Sequence, residues 1–486
     1  MNRRKFIVSA SSASALAALG MLPLTGCGGS SGSSASETEV ETGVESLTTL
    51  FIPPIIEDTG AGILLSAQSG TTEFFDAVSS VTWGFNGAYL GPTIRVRQGD
   101  SVNINVQNTL DESITAHWHG LHIPGDVDGG PYQMVASGET WTPTLDIVQQ
   151  ASLNWYHSHI HGSTGRHVYN GLAGLFIIDD DSSDALNLPN EYGVDDIPLI
   201  IQDKLFDNAG NLDYSVDNIP GGRFAGNTML VNGVVDAVLE VEAKRVRFRL
   251  LNASNARFYD FSLSDGSVFY KIATEGGLLN EPVAITSLSM APGERNEIII
   301  DFSSYDEGET LSIQSSNEEG GDTNLAAVFD VLTLSVIAST SASLELPTSM
   351  NTVPDVATLL ASLSTAPVDR LFDLAAGQIN NQSFDMATIN HVTTQGEYEI
   401  WDIRGGGHPF HMHGCSFLIL EDDGLSPAEE DRGWKDTVVT RGGTTGVKVL
   451  VQFNYLAPSI AAYMYHCHIL GHEDTGMMGQ FTVVAV

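Results

Sequence analysis

Ser101-Val102-Asn103-Ile104-Asn105-Val106 places an apolar side chain at every second position, the period of a strand with one buried face. The stretch follows Asn86-Gly87 and Ile94-Arg95-Val96 and leads to Asn108, and that order recurs. Asn232-Gly233 leads through Leu239-Glu240-Val241 to Val246-Arg247-Phe248-Arg249-Leu250 and Asn252. Asn380-Asn381 leads through Phe384 to Tyr398-Glu399-Ile400-Trp401-Asp402-Ile403. The copies start 146 residues apart (86 to 232) and 148 residues apart (232 to 380). With 486 residues the chain exceeds one ordinary domain. The expected fold class is therefore all-β, with three similar Greek-key sandwiches or barrels over 45–180, 195–340 and 367–486. Acidic, Pro-containing sequence near 180–195 joins the first two. The Ser/Thr/Pro-containing stretch 341–366 joins the last two and holds an expected short helix at Val356–Leu363.

The N-terminus reads as an address. Arg3-Arg4-Lys5-Phe6-Ile7 is a twin-arginine start, followed by an Ala- and Ser-rich stretch. Leu24-Thr25-Gly26-Cys27 resembles the lipobox of bacterial lipoproteins. Residues 1–27 are read as a Tat-type lipoprotein signal and 28–44, rich in Gly, Ser and Glu, as a flexible tether. The expected location is the periplasm or cell surface, with a lipid anchor at Cys27 as the membrane contact.

Sixty acidic against 21 basic residues give a net charge of -39. Nucleic acid is excluded as a partner, because phosphate binding needs a basic surface. An acidic surface favours cations and tolerates salt. A monomer is expected. Of three cysteines, Cys27 belongs to the signal and Cys467 to a metal motif, so Cys415 stands alone and no disulfide is expected.

The fourteen histidines are placed unevenly, with none between His167 and His391. Ten fall in four clusters: His117-Trp118-His119, His157-Ser158-His159, His408-Pro409-Phe410-His411-Met412-His413, and His466-Cys467-His468 with His472 and Met477 beyond. In a strand, residues i and i+2 share a face. Each His-x-His pair thus projects two imidazoles in one direction, and four pairs converging from two domains give eight around one cavity. Eight imidazoles suit three metal ions, two for one ion and three for each of the others. Imidazole is a good copper ligand, and no carboxylate is interleaved as magnesium or calcium would need.

His408, Cys467, His472 and Met477 form a different set. Two imidazoles, a thiolate and a long axial thioether make a blue-copper electron-transfer site. Cys467 stands between His466 and His468, so its sulfur faces one site while its neighbours face the other. The chain itself joins the two sites over a path of about 10 Å.

These four clusters resemble those of the multicopper oxidase family, over the chain from about residue 45 to its end. Leu90-Gly91-Pro92-Thr93-Ile94-Arg95-Val96 and Gly433-Trp434-Lys435-Asp436-Thr437-Val438 are similar to segments of three-domain bacterial laccases and copper-efflux oxidases. The resemblance implies three cupredoxin domains and four copper ions. Type 1 copper would take His408, Cys467, His472 and Met477, and type 2 copper His117 and His411. One type 3 copper would take His119, His157 and His468, and the other His159, His413 and His466. It also implies a reaction: one-electron oxidation of phenols, aromatic amines or similar donors, with dioxygen reduced to water.

Reducing dioxygen to water consumes protons as well as electrons. The resemblance places carboxylates at Asp128, in the Gly-rich segment after the first cluster, and at Glu473, beside His472. Both are candidate members of a proton relay. His122, His161, His167 and His391 are surplus, and His161, continuing the i, i+2 series, is expected to border the cluster or be structural. Cys415 and Met478 are expected to pack in the core, and Trp118 beside the ligands.

Two alternatives have sequence signatures. A cuprous oxidase for copper tolerance would carry a Met-rich insert, since thioethers select Cu(I), whereas Met350, Met386 and Met412 are scattered. Asp436 and the acidic loop from Glu421 to Asp431 remain candidate metal-ion ligands under that reading. A copper-free structural protein, as some cell-division relatives are, would have lost histidines, and none is missing.

Overall fold

The computed structural model describes residues 48–215, 222–316, 328–363, 367–440 and 445–486. The signal and tether expected over 1–44 lie outside them. Six β-sheets occur among the described residues, two in each third of the chain. Among these residues the helices are short, and none is long and apolar enough to cross a membrane.

The three-fold repeat rests on one asparagine device. Asn86, Asn232 and Asn380 all adopt left-handed backbone, with φ of 57°, 51° and 53°, a conformation asparagine tolerates better than most residues. Each side-chain oxygen accepts from a backbone N–H of an earlier strand or its edge: Ser66 at 2.7 Å, Ile200 at 2.7 Å and Asp373 at 2.8 Å. Each amide nitrogen donates two residues before that point, to Leu64 O, Pro198 O and Leu371 O. One Asn thus replaces a ladder step where the chain turns. Asn108 and Asn252 repeat in the same way, each accepting from the backbone N–H two residues on.

The alternating strand of the first repeat runs Ser101–Asn108 and buries Val102, Ile104 and Val106. It faces the sheet of Thr93–Arg97, Ala173–Asp179, Ser152–His157 and His117–His119 across a core that includes Trp118 and Phe176. The middle third builds a six-stranded and a seven-stranded sheet around Phe248, Phe261 and Phe302. The last third pairs the sheet of Val368–Ala375, Tyr398–Gly405 and Val447–Gln452 with that of Pro409–Met412, Tyr463–Cys467 and Met478–Val484. Trp401 is fully buried among Phe372, Phe410, Phe453 and Phe481. Truncating such a ring to Ala typically costs about 3–5 kcal/mol.

The helix expected at Val356–Leu363 runs Val356–Ser362, started by Asp355, whose side chain accepts from Thr358 N. One segment departs from the expected division. Thr48–Thr49 pairs with Ala237–Glu242 in the middle sheet, and Leu50 enters the middle core. Apolar contact with that core, rather than position in sequence, sets where the chain entry packs.

Candidate metal centres

Strand register assembles the histidines. His117–His119 lies antiparallel to Ser152–His157, with His117 opposite His157. Pro409–Met412 lies antiparallel to Tyr463–Cys467, with His411 opposite His466 and Phe410 opposite Cys467. Opposed residues share a face, so the imidazoles gather on one side while Trp118, Phe410 and Cys467 enter the cores on the other. The two half-sites meet face to face. His117 stacks on His413 with ring centroids 3.8 Å apart, and His119 on His411 at 3.7 Å.

Hydrogen bonds at five of the eight rings fix which nitrogen each offers. His117 Nδ1 donates to Asp128 O at 2.9 Å, His157 Nδ1 to Ser158 O at 3.0 Å and His411 Nδ1 to Asp436 O at 2.9 Å. His466 Nδ1 donates to Cys467 O at 3.1 Å and His413 Nδ1 to Asp128 Oδ2 at 2.8 Å. An oxygen that only accepts puts the hydrogen on Nδ1 and leaves the Nε2 lone pair free. His117, His157 and His411 Nε2 and both ring nitrogens of His468 are buried without a hydrogen-bond partner. A buried unpaired polar atom costs about 1–3 kcal/mol, so a set this concentrated fits metal ions as the missing partners. Burial above all, reinforced by neighbouring imidazoles, holds His119, His157, His159, His413 and His468 well below the usual histidine pKa. They are neutral at pH 7, the form that binds a metal.

Four compact donor groups line the cavity among the described residues: His117, His119 and His157; His117, His411 and His413; His159, His413 and His466; and His119, His411 and Asp436. These groups include seven of the eight histidines singled out in the sequence, and the eighth, His468, packs against His119, His157 and His411 with ring centroids 5.1, 5.8 and 6.0 Å away.

The second centre is a triangle. Cys467 Sγ is 3.4 Å from His408 Nδ1 and 3.6 Å from His472 Nδ1, and those two nitrogens are 3.3 Å apart. The centre of such a triangle lies about 2 Å from each vertex, a bonding distance for imidazole nitrogen and thiolate ligands. Burial pushes the Cys467 thiol up to about 12, so the thiolate form needs a cation beside it. Met477 is fully buried in the same core cluster as Cys467 and receives the Cys467 N–H on its carbonyl at 3.1 Å.

Both candidate relay carboxylates reach the eight-histidine cavity. Asp128 contacts His117 and His413, and Glu473 lies 3.3 Å from His159 Nδ1 and 3.2 Å from His466 Nδ1. Burial opposes ionisation at each. The imidazoles outweigh it, holding Asp128 well below the usual carboxylate range and Glu473 at about 2.

The surplus histidines sit elsewhere. His161 is exposed and packs edge-on to Phe384. The strand ends at His157; His159 still enters the cavity, and the chain then turns outward before the helix Thr164–Asn170, which takes His161 away from it. His122 Nε2 meets Ser416 Oγ at 2.9 Å. His167 bridges Ser158 Oγ and Glu112 Oε1, each at 2.8 Å. His391 stacks on Phe481, its rings 3° from parallel. Cys415 and Met478 are buried, and Trp118 is fully so. Asp436, named from the sequence as a candidate metal-ion ligand with the loop Glu421 to Asp431, is buried against Arg295, His119 and His411 and forms a donor group with those two histidines. Arg295, from the domain without histidines, carries no local signal that sequence reasoning could have used.

A multicopper oxidase family model matches residues 66–183, and a second one, also described as multicopper oxidase, matches 351–485. The cell division protein FtsP of Photorhabdus laumondii is 36% identical over 448 residues, covering 90% of this chain and 93% of that protein. The multicopper oxidase mco of Staphylococcus aureus is 38% identical over 426 residues, covering 86% and 88%. Among solved structures, the bacterial laccase-like multi-copper oxidase CueO of Ochrobactrum sp. aligns with a TM-score of 0.81 at 34% identity, over 90% of this chain and 100% of that one.

Proposed function

This chain belongs to the multicopper oxidase family, and we propose that it is a working oxidase, coupling one-electron oxidation of phenols, aromatic amines or similar donors to reduction of dioxygen to water. The observation that carries the reading is the position of Cys467. Its sulfur closes the triangle with His408 and His472, while its neighbours, His466 in the strand and His468 just past its end, face the eight-histidine cavity. Copper, when bound, would supply the one-electron steps at the triangle and the reduction of dioxygen in the cavity. His408, Cys467, His472 and Met477 would hold the type 1 ion, with the cavity histidines holding the type 2 and type 3 ions as the family pattern assigns them. Asp128 and Glu473 accept hydrogen bonds from ring nitrogens of cavity histidines or lie within reach of them, so each can orient a ligand and pass a proton. The similar Ochrobactrum enzyme is described as an oxidase of lignin model compounds and lignosulfonate, which supports a phenolic donor class.

The experiment is copper loading. We expect four ions per chain and an intense blue band from thiolate-to-copper charge transfer. Cys467→Ser abolishes the band and the activity while the cavity keeps its copper. A fully loaded, colourless wild type would overturn the reading.

A cell-division role is a second reading, favoured by the FtsP relatives. The complete ligand set and the unpaired ring nitrogens favour the oxidase over a copper-free version of it. Metal-free protein that restores division as well as loaded protein would reverse that preference. A cuprous-ion donor is less favoured, because among the described residues Met350 and Met412 are buried in the fold and Asp436 is internal.

The location proposed is outside the cytoplasm, after Tat export, with a lipid on Cys27. Cys27→Ala should release the protein in soluble form. A native protein that is already soluble, with its mature start beyond Cys27, would remove the anchor from the proposal.

A further inference from the structure

The middle domain supplies no histidine, yet it sends one charged side chain to the cavity wall. Arg295 opens the strand Arg295–Asp301 and is fully buried. Its guanidinium clamps Asp436 with both terminal nitrogens, Nη1 to Oδ1 at 2.8 Å and Nη2 to Oδ2. Its Nε donates to Leu153 O, in the first domain, at 3.0 Å. One side chain therefore spans all three domains.

Asp436 sits behind two ligands from different domains. Its Oδ1 lies 3.2 Å from His119 Nε2, and its backbone oxygen accepts from His411 Nδ1 at 2.9 Å. The His119 contact reverses the pattern of five neighbours, His117, His157, His411, His413 and His466, in which Nδ1 meets an oxygen and Nε2 stays inside. At His119 it is Nε2 that meets the oxygen and Nδ1 that is buried without a partner. A carboxylate gripped by a guanidinium can only accept. The hydrogen of His119 must then sit on Nε2, and the lone pair on Nδ1.

We propose that Arg295 and Asp436 are a positioning pair, through which the histidine-free domain fixes the ring nitrogen that His119 offers to the metal cluster and ties His119 to His411. The inference rests on the oxidase reading. Space around the pair is already committed: a Cβ on Gly120 would collide with Arg295 Nη2 and Asn154 Oδ1, and one on Gly293 would come within 2.7 Å of the His468 ring. Groups outside a ligand shell typically change metal affinity about 10–100-fold when removed.

Removing one member of a buried pair leaves a lone charge and invites misfolding. The test therefore compares two neutral doubles, Arg295→Met with Asp436→Asn and Arg295→Met with Asp436→Leu. Asn keeps an acceptor for His119 Nε2–H, and Leu has similar bulk and no acceptor. Both should retain the blue band at the Cys467 centre, which reports folding. The Leu double should lose cluster copper to a chelator at least about tenfold more readily, with altered paramagnetic resonance of the uncoupled cluster copper. The Asn double should resemble wild type in both. Equal retention and equal spectra in the two doubles would overturn the inference alone, as would loss of the blue band in the Leu double with full activity in the Asn double and unchanged cluster spectra. A wild type that takes up no cluster copper would overturn the oxidase reading and the inference together.

Discussion

His413 Nδ1 donates to Asp128 Oδ2 at 2.8 Å across 285 residues of sequence. The bond joins a turn of the first domain to a ligand of the last, and the Asp128 backbone oxygen holds His117 at the same time. One residue thus orients a histidine from each half of the cavity. Glu473 does the corresponding work opposite, between His159 and His466. Neither carboxylate lies in the triangle where donor electrons would enter.

Proton supply and electron entry should therefore separate by mutation. Asp128→Asn and Glu473→Gln keep shape and polarity but cannot exchange a proton at neutral pH. Both should stay blue and be reduced by donor at wild-type rates, then reoxidise in air about 10²–10⁴-fold more slowly. Rapid mixing of the pre-reduced variants with dioxygen measures this. Wild-type reoxidation in both would make the carboxylates structural.

The turn behind Asp128 makes a second prediction. Gly129 has φ +79°, and a Cβ there would collide with Ala116 O and approach His117 Cα to 2.9 Å. Gly138 has nearly the same φ, +80°, and nothing within 4 Å. Gly138→Ala should cost only backbone strain, about 1 kcal/mol. Gly129→Ala should cost more in thermal denaturation and also reduce cluster copper, because His117 must move. Equal losses would mean that the close approach is relieved without disturbing the site.

The cavity was legible in the sequence because its device is local. A His-x-His pair in a strand announces a shared face within three letters, and the His466-Cys467-His468 run announces two faces at once. The Asn86, Asn232 and Asn380 repeat was visible too, although its cause, a side chain replacing a ladder step with a distant strand, was not. What the sequence hid depends on long-range pairing. Nothing near Arg295 signals that it meets Asp436 at a separation of 141 residues. His161 lies farther past that strand, where the chain turns toward the helix Thr164–Asn170, so it takes the structural place that the sequence had left open beside the cavity border.

A buried lysine predicts a pH dependence of stability. Lys204 is fully buried, donates to Tyr169 O at 2.7 Å and lies 4.0 Å from the Tyr169 ring centre. Burial, partly offset by Asp203, pulls its pKa down to about 7, against about 10.4 in the unfolded chain. Between those values the unfolded chain holds one more proton than the folded one, so stability rises with pH, by up to about 1.4 kcal/mol per unit. Urea unfolding at pH 7, 8 and 9 should show this slope in wild type and a shallower one in Lys204→Met. Identical slopes would mean that Lys204 stays charged in the fold.

The final prediction sets one local charge against the whole surface. Arg223, from the middle domain, donates through Nη2 to Gly407 O at 2.8 Å, beside the ligand His408. Burial first, then His472 and then Arg223, bring His408 down to about 4. A fixed positive charge there favours the reduced form of a metal at the triangle. Arg223→Gln keeps a donor for Gly407 and removes the charge, so the midpoint of the blue band should fall. Each tenfold change in that equilibrium is about 59 mV. Arg223→Lys should hold the wild-type value, which separates charge from packing. The chain as a whole carries -39, so its long-range field should favour cationic or neutral donors over sulfonated ones. Salt should narrow that gap, because screening shortens the field to about 8 Å at physiological strength. Removing Arg223 should widen the gap at low salt, since its attraction for an anionic donor near His408 is then gone. Rates for a cationic and a sulfonated donor, measured against ionic strength in wild type and Arg223→Gln, decide it. A sulfonated donor indifferent to both salt and Arg223 would mean that the entry site is insulated from charge, and that donor choice is set by shape alone.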